Sequence, residues 1–132
     1  MRIIDIAVET GQRYELVSIT DEVRQAARDA RVEEGVCIVS STHTTAAVTV
    51  NEDYDRDVPR DLASACRAFL KALEVRFEHA EGNSDSHFLT SLFGQSQMLL
   101  VQDGELVLGR WQGVFLAEFD GPRSRTVRVA VS

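Results

Sequence analysis

The chain reads as a single α+β domain, built from a mostly antiparallel β-sheet with two main helices and a short third helix. Three observations support this. The last third of the sequence is a series of short apolar segments joined by tight turns, the pattern of a hairpin-built antiparallel sheet. The helical segments are few and set apart from those strands, unlike the strand–helix alternation of a doubly wound parallel sheet. Neither GxGxxG nor GxxxxGK(S/T) occurs, so the dinucleotide and phosphate-loop signatures are absent. At 132 residues the chain is expected to form one domain, 1–132, large enough to bury a core without disulfides.

Taken in order, Ile3 to Glu9 alternates in polarity and predicts a strand with one buried face. Gly11-Gln12-Arg13 reads as a turn into a second strand, Tyr14 to Ile19, and the two strands read as a hairpin. Thr20, followed by Asp21 and Glu22, is a helix start, with a capping hydroxyl and acids at the positive end of the helix dipole. That helix is expected to run to about Glu34 and to end on Gly35 as its left-handed residue. Val36 to Ser41 is a β-branched apolar run and predicts a central buried strand; Ala46 to Val50 is another strand. A second helix starts near Asp57, with Val58, Leu62, Ala65, Phe69 and Leu73 repeating at helical spacing and Pro59 in its first turn. Glu78 to His87 reads as a polar loop, and Phe88 to Phe93 as a short helix closed by Gly94. Asp103-Gly104, between two apolar runs, is the clearest hairpin signal in the chain. Val114 to Phe119 and Arg125 to Val131, separated by Gly121-Pro122, complete the sheet.

Composition narrows the function. Fourteen basic residues against 21 acidic ones give a net charge of −7, which argues against nucleic-acid backbone binding. Arg110, Arg123, Arg125 and Arg128 form the one basic cluster, read either as exposed strand positions or as a local anion site. Cys37 and Cys66 lie in apolar runs without motif spacing and predict buried, reduced thiols. The N-terminal MRIIDIAV lacks the character of a signal segment, and no apolar run approaches membrane-spanning length. A cytoplasmic protein with no membrane partner is the expectation.

The candidate chemistry rests on His43, His79 and His87, all in polar or strand-end settings. His79 and His87 bracket Glu81, Asn83 and Asp85, residue types that can orient an imidazole. Imidazole is a preferred zinc ligand, but the spacing matches no fixed metal motif, so metal ligation stands beside acid–base and hydrogen-bonding roles. Thr44 and Thr45 can present hydroxyls and N–H groups to an anionic oxygen, or simply begin a turn. Asn51, after the next strand, can return to the same region. Trp111-Gln112-Gly113 suggests a core, interface or ligand contact. Glu118 and Asp120 alternate with Phe119, as a solvated edge or as a carboxylate pair facing the histidines. No GxSxG nucleophile motif is present.

STHTTAAVTVNED, HAEGNSDSH and GELVLGRWQGVFLAEFDGPRSR, taken together, resemble the YjbQ-like family, also described as secondary thiamine-phosphate synthases. The resemblance spans Val8 to Val131. Phe77 stands where the family often has tyrosine, and Ser86 where alanine is common. The resemblance implies a homotrimer and a pocket in which His43, His79 and His87 hold a divalent metal, zinc by preference, or a departing anion. It further implies catalytic roles for His43, Asp85 and Glu118. Thr44, Thr45, Asn51, Asn83, Trp111, Gln112 and Arg123 would contact a phosphorylated small-molecule substrate. The implied reaction is a weak condensation of hydroxymethylpyrimidine diphosphate with thiazole phosphate. The alternative is a non-catalytic module that binds a metal or metabolite.

Overall fold

The structure, a computed structural model, describes residues 1–132. Eight strands and three helices occur in the order β1 (Arg2–Glu9), β2 (Glu15–Ser18), α1 (Thr20–Asp29), β3 (Glu34–Ser41), β4 (Ala46–Glu52), α2 (Asp57–Ala72), α3 (Ser84–Phe93), β5 (Ser96–Gln102), β6 (Glu105–Leu106), β7 (Gln112–Glu118) and β8 (Ser124–Val131). Every strand pairing is antiparallel, and the α+β class is as expected. The strands form two sheets, one of five strands ordered β1-β8-β3-β5-β6 and one of three ordered β2-β7-β4.

The sheets share a core. Ile6, Val39, Val127 and Val129 from the larger sheet pack with Val48, Val114 and Leu116 from the smaller one, and α1 joins through Val23, Ala26 and Ala27. A second cluster lies on the opposite face of the three-stranded sheet, where Leu16, Ala47, Phe115, Ala117 and Phe119 meet Ala63 and Cys66 of α2 and Leu89 of α3. β7 therefore sends alternate side chains into two cores, which is why its sequence is a continuous apolar run. Both cysteines are free and buried, and burial pushes the Cys37 thiol up to about 11.

Several local expectations are corrected. β1 and β2 do not form a hairpin; β1 pairs with β8 and β2 with β7, so Gly11-Gln12-Arg13 carries the chain from one sheet to the other. The crossing is held by Thr10 N–H donating to Arg123 O at 3.0 Å and by Gly121 N–H donating to Arg13 O at 3.2 Å. A side chain at Gly121 would meet Gln12 O at 2.2 Å, which explains the glycine at this close approach.

α1 ends at Asp29, earlier than read, and Gly35 lies within β3. There a Cβ would approach Ser132 O to 2.2 Å, so this glycine serves the fit of the chain end against β3 rather than a helix terminus. Thr20 does not cap α1 with its hydroxyl. Its buried Oγ1 accepts from Val114 N–H at 2.9 Å and donates to Asp53 Oδ2 at 2.6 Å.

α2 spans the region read for it, but its inward face is Leu62, Ala63, Cys66 and Leu70. Small residues let the helix approach the sheet, whereas Phe69 turns outward and stacks on Phe88 at 6.4 Å between ring centroids. α3 begins at Ser84, so Asp85 and His87 are helical rather than in a loop.

Part of the outer face of the five-stranded sheet is apolar. In register across four strands stand Ile3, Ala130, Ile38 and Met98, and beside them Val36 faces Leu100. Ile3, Met98 and Leu100 are each more than half exposed. No helix of the structure is long and apolar enough to cross a membrane.

Candidate functional site

Six connections pass between the sheets, and three of them lie together at one end. These three are the segments joining β1 to β2, β3 to β4 and β7 to β8. Glu118 from the smaller sheet and Arg125 from the larger meet between them, with the Glu118 side chain wholly buried and Arg125 nearly so. Arg125 Nε donates to Glu118 Oε1 at 2.8 Å, and its Nη2 donates to Glu118 Oε2. Thr10 Oγ1 donates to Oε1 at 2.7 Å, and Asp120 N–H donates to Oε2 at 3.0 Å. Arg125 Nη2 also donates to Thr45 Oγ1 at 2.8 Å. Burial alone would raise the Glu118 carboxyl, but Arg125, the Asp120 amide and the Thr10 hydroxyl outweigh it and hold it below the usual carboxylate range.

This network corrects three expectations. Glu118 is a wholly buried carboxylate with both oxygens occupied by protein donors, not part of a solvated strand edge. Thr45 Oγ1 accepts from Arg125, so its oxygen belongs to this network. Arg125 is a buried partner rather than an exposed strand position.

His43 sits on the connection from β3 to β4. Its backbone N–H donates to Ser41 Oγ at 3.1 Å, and Ser41 Oγ donates to Ala46 O at 2.7 Å, which folds the connection tightly. The ring accepts a hydrogen bond from Thr126 N–H at Nε2, 2.9 Å away. An imidazole nitrogen that accepts from an amide carries no proton, so the hydrogen bond assigns the neutral tautomer with its proton on Nδ1. Burial lowers the His43 pKa, and the nearby positive charges of Arg125 and Arg123 lower it further, against an opposing effect of Glu118.

A cavity of about 480 Å³ opens beside His43. It is lined by His43, Thr44, His87, Thr90, Ser91, Gly94 and Gln95, without an apolar residue. His87, Thr90 and Ser91 come from one face of α3, at the three- and four-residue spacing of helical neighbours. The Thr90 hydroxyl is buried and has no hydrogen-bond partner. A buried hydroxyl without a partner carries a desolvation cost that a bound ligand atom would relieve. Thr90, Ser91 and Gln95 were not singled out from the sequence. Placing the start of α3 at Ser84 would have put Thr90 and Ser91 beside His87.

The remaining candidates are distributed elsewhere. The His79 and His87 rings meet edge to face at 5.7 Å between centroids, and His79 Nε2 lies 3.8 Å from Glu81 Oε2. Asp85 is bound by Arg13 Nη2 at 3.0 and 3.1 Å and by the Tyr14 hydroxyl, so it ties the connection between β1 and β2 to α3. Asn83 Nδ2 donates to Asp120 Oδ2 at 2.9 Å, leaving its own Oδ1 buried without a partner. Arg123 is exposed and binds Asp120 through Nε to the carbonyl and Nη2 to the carboxylate.

Asn51, Trp111 and Gln112 lie at the far end of the smaller sheet. β4 leaves the His43 region at Ala46, and at about 3.3 Å per residue Asn51 is some 16 Å further along the strand. Asn51 pairs with Gly113, Gln112 Oε1 accepts from Gly109 N–H at 2.8 Å, and Trp111 packs edge to face on Tyr54 at 4.9 Å. The expected return of this segment to the histidines does not occur within one chain. Nowhere does the chain gather three His, Cys, Asp or Glu side chains so that they could hold a metal ion.

The family model described as "UPF0047 protein YjbQ-like" matches residues 4–132. The chain belongs to the UPF0047 YjbQ-like family. A UPF0047 protein of Methanocaldococcus jannaschii is 42% identical over 127 residues, covering 94% of this chain and 89% of the relative. UPF0047 protein YugU of Bacillus subtilis is 38% identical, covering 92% of each. Among solved structures, a YjbQ/UPF0047 family protein of Clostridium acetobutylicum has a TM-score of 0.93 at 37% identity, covering 98% of this chain and 99% of its own. A hypothetical protein of Aeropyrum pernix has a TM-score of 0.93 at 30% identity, covering 100% of this chain and 98% of its own. The UPF0047 fold is thus shared across archaea and bacteria.

The His43 geometry predicts a pH dependence of stability. The unfolded histidine binds a proton near its ordinary pKa of about 6.5, and the folded one binds it only at lower pH. Between those values the unfolded state carries more protons, so stability rises with pH and falls again on acidification through the window. NMR titration should show His43 charging below the ordinary histidine range, and His43→Gln should flatten the Tm-against-pH curve there. A His43 pKa at or above 6.5 contradicts the assignment.

Proposed function

We propose that the chain is a small enzyme acting on a phosphorylated or otherwise anionic small molecule in the cavity between His43 and His87. The observation that carries this is the wholly polar lining, to which the unpartnered Thr90 hydroxyl and His43, with one ring nitrogen free of any protein partner, both belong. A neutral imidazole with its proton on Nδ1 donates to an anionic oxygen and can follow with the proton itself, while Thr44 and Ser91 add donors. His87 supplies a second imidazole to the same space.

For the transferase chemistry that the family resemblance implies, the C–O bond between the pyrimidine methylene and the diphosphate breaks and the thiazole nitrogen forms the new C–N bond. Pyrophosphate departs with the electron pair, and donors aimed at its oxygens stabilise it as it leaves. The second reading is a non-catalytic binding module, in which the same polar lining holds a ligand without turning it over.

The two readings separate in one experiment. Purified protein is incubated with hydroxymethylpyrimidine diphosphate and thiazole phosphate, and thiamine phosphate is measured. Product should form, and His43→Ala and Thr90→Val should each lower kcat/KM by about tenfold or more, as loss of a transition-state contact does. Substrate binding without product favours the binding module, and variants as active as the parent remove the cavity from the reaction.

Zinc is the accompanying cofactor proposal, and the geometry fits it in part. His79 and His87 offer adjacent rings, and His43 offers only Nδ1. No step above runs through a metal. Zinc uptake measured by calorimetry should depend on His87 and weaken at acid pH, since a histidine must be neutral to coordinate. Uptake unaffected by His87→Ala would exclude the histidine site.

Assembly as a homotrimer is proposed on the apolar outer face of the five-stranded sheet. A row such as Ile3, Ala130, Ile38 and Met98 is characteristic of an interface rather than a solvated surface. Light scattering should give about three times the 14.7 kDa chain mass, and Met98→Glu should lower it. A monomer at micromolar concentration contradicts the trimer. The buried, free thiols fit a cytoplasmic setting, which fractionation of cells expressing the protein would test.

A further inference from the structure

A second cavity, of about 520 Å³, lies between α2 and the outer side of β2, away from the histidines. Its volume is in the range of small-molecule sites. Its floor is apolar and aromatic, formed by Tyr14, Leu16 and Phe115, all nearly buried. One wall is cationic. Arg56, Arg60 and Arg67 follow one another along α2 at intervals of four and seven residues, which places all three on one face of the helix.

Such a concentration of guanidinium groups is unexpected in a chain of net charge −7. The fold does not consume them. Arg56 and Arg67 have no ion-pair partner, and Arg60 reaches only the exposed Asp57, at 3.8 Å. Arg67 instead stands over the Tyr14 ring, 5.6 Å from its centroid, which holds its charge against the aromatic floor.

Each of the acids that also line the cavity has one oxygen engaged within the chain. Asp53 Oδ2 accepts from the Ser18 and Thr20 hydroxyls, each at 2.6 Å. Glu15 Oε2 accepts from Gly11 N–H at 3.2 Å, and Asp55 Oδ1 from Asp57 N–H at 2.9 Å. The guanidiniums of Arg56 and Arg67, which have no hydrogen-bond or ion-pair partner, supply the free donors of the cavity. Guanidinium forks match the oxygens of a phosphate monoester, and an aromatic floor matches a flat ring.

We propose that this cavity is a second ligand site, which takes a small phosphate monoester bearing a planar ring. The phosphate sits against Arg56, Arg60 and Arg67, and the ring lies toward Tyr14 and Phe115. The site is separate from the His43 cavity and does not depend on the reading given to it.

The test uses phenyl phosphate as the probe, with calorimetry on the full chain. Phenyl phosphate should bind more tightly than inorganic phosphate and less tightly as salt is raised. Arg56→Gln/Arg67→Gln should weaken binding by about tenfold or more, a change above 1.4 kcal/mol. Both residues are exposed, so the fold should survive; a circular dichroism spectrum matching the parent checks this. Thr90→Val, in the other cavity, should leave phenyl phosphate binding unchanged. Three results would each overturn the proposal: no binding at millimolar phenyl phosphate, binding undiminished in the double variant, or binding abolished by Thr90→Val. Equal affinity for inorganic phosphate and phenyl phosphate would remove the ring from the proposal and so overturn the ligand class.

Discussion

The ion pair of Glu118 and Arg125 is the interaction on which the rest of the molecule depends. It joins the two sheets at the end where three connections pass between them. An isolated charge in such a place would be costly, and the structure meets that cost by giving each oxygen of Glu118 two donors. Those donors come from all the right places: Thr10 from the first connection, Asp120 from the third, and Arg125 from the strand that follows it. Arg125 then reaches Thr45 in the second connection. Five residues thereby set how the sheets are laid together, a choice that apolar packing alone leaves loosely specified.

The chemistry of the His43 cavity follows from that arrangement. β8 is placed against β3 so that the Thr126 amide meets His43 Nε2, and this hydrogen bond dictates the tautomer. Protonating Nε2 would set two donors against each other, in agreement with the lowered pKa. The guanidinium that locks the sheets also discourages the histidine from charging, so one residue serves architecture and electrostatics together. On the other wall, α3 is held by Asp85 through Arg13 and Tyr14, and by the Ser86 hydroxyl donating to Phe119 O at 2.5 Å. Residues that resembled site groups in the sequence are thus the supports of the site.

Much of the fold was legible because it rests on local patterns. The apolar run of β7, the Asp103-Gly104 turn and the extent of α2 all follow from periodicity and turn chemistry. The crossing between sheets was not legible, since Gly11-Gln12-Arg13 has the composition of a hairpin turn and only tertiary pairing separates the strands beside it. Arg125 was read with the exposed arginines although its phase told against it: it shares the inward period of Val127, Val129 and Val131, whereas Arg128 does not and pairs with Asp5 at the surface. His43, Thr44 and His87 were found from the sequence. Thr90 was hidden by reading the first turn of α3 as loop, and the arginine row of α2 was hidden by counting charge without placing it on a helix face.

The central claim is that Glu118 and Arg125 act as one unit holding the connections in place, and a double-mutant cycle in urea tests it most directly. Removing either partner alone, as Glu118→Gln or Arg125→Met, should cost about 3–5 kcal/mol, because it strands the other polar group in the interior. The double variant should cost clearly less than the sum of the two, with a coupling of about 1–3 kcal/mol. Losses that simply add, or single variants within about 0.5 kcal/mol of the parent, would show that the pair is incidental and that the sheets are held by their apolar faces alone.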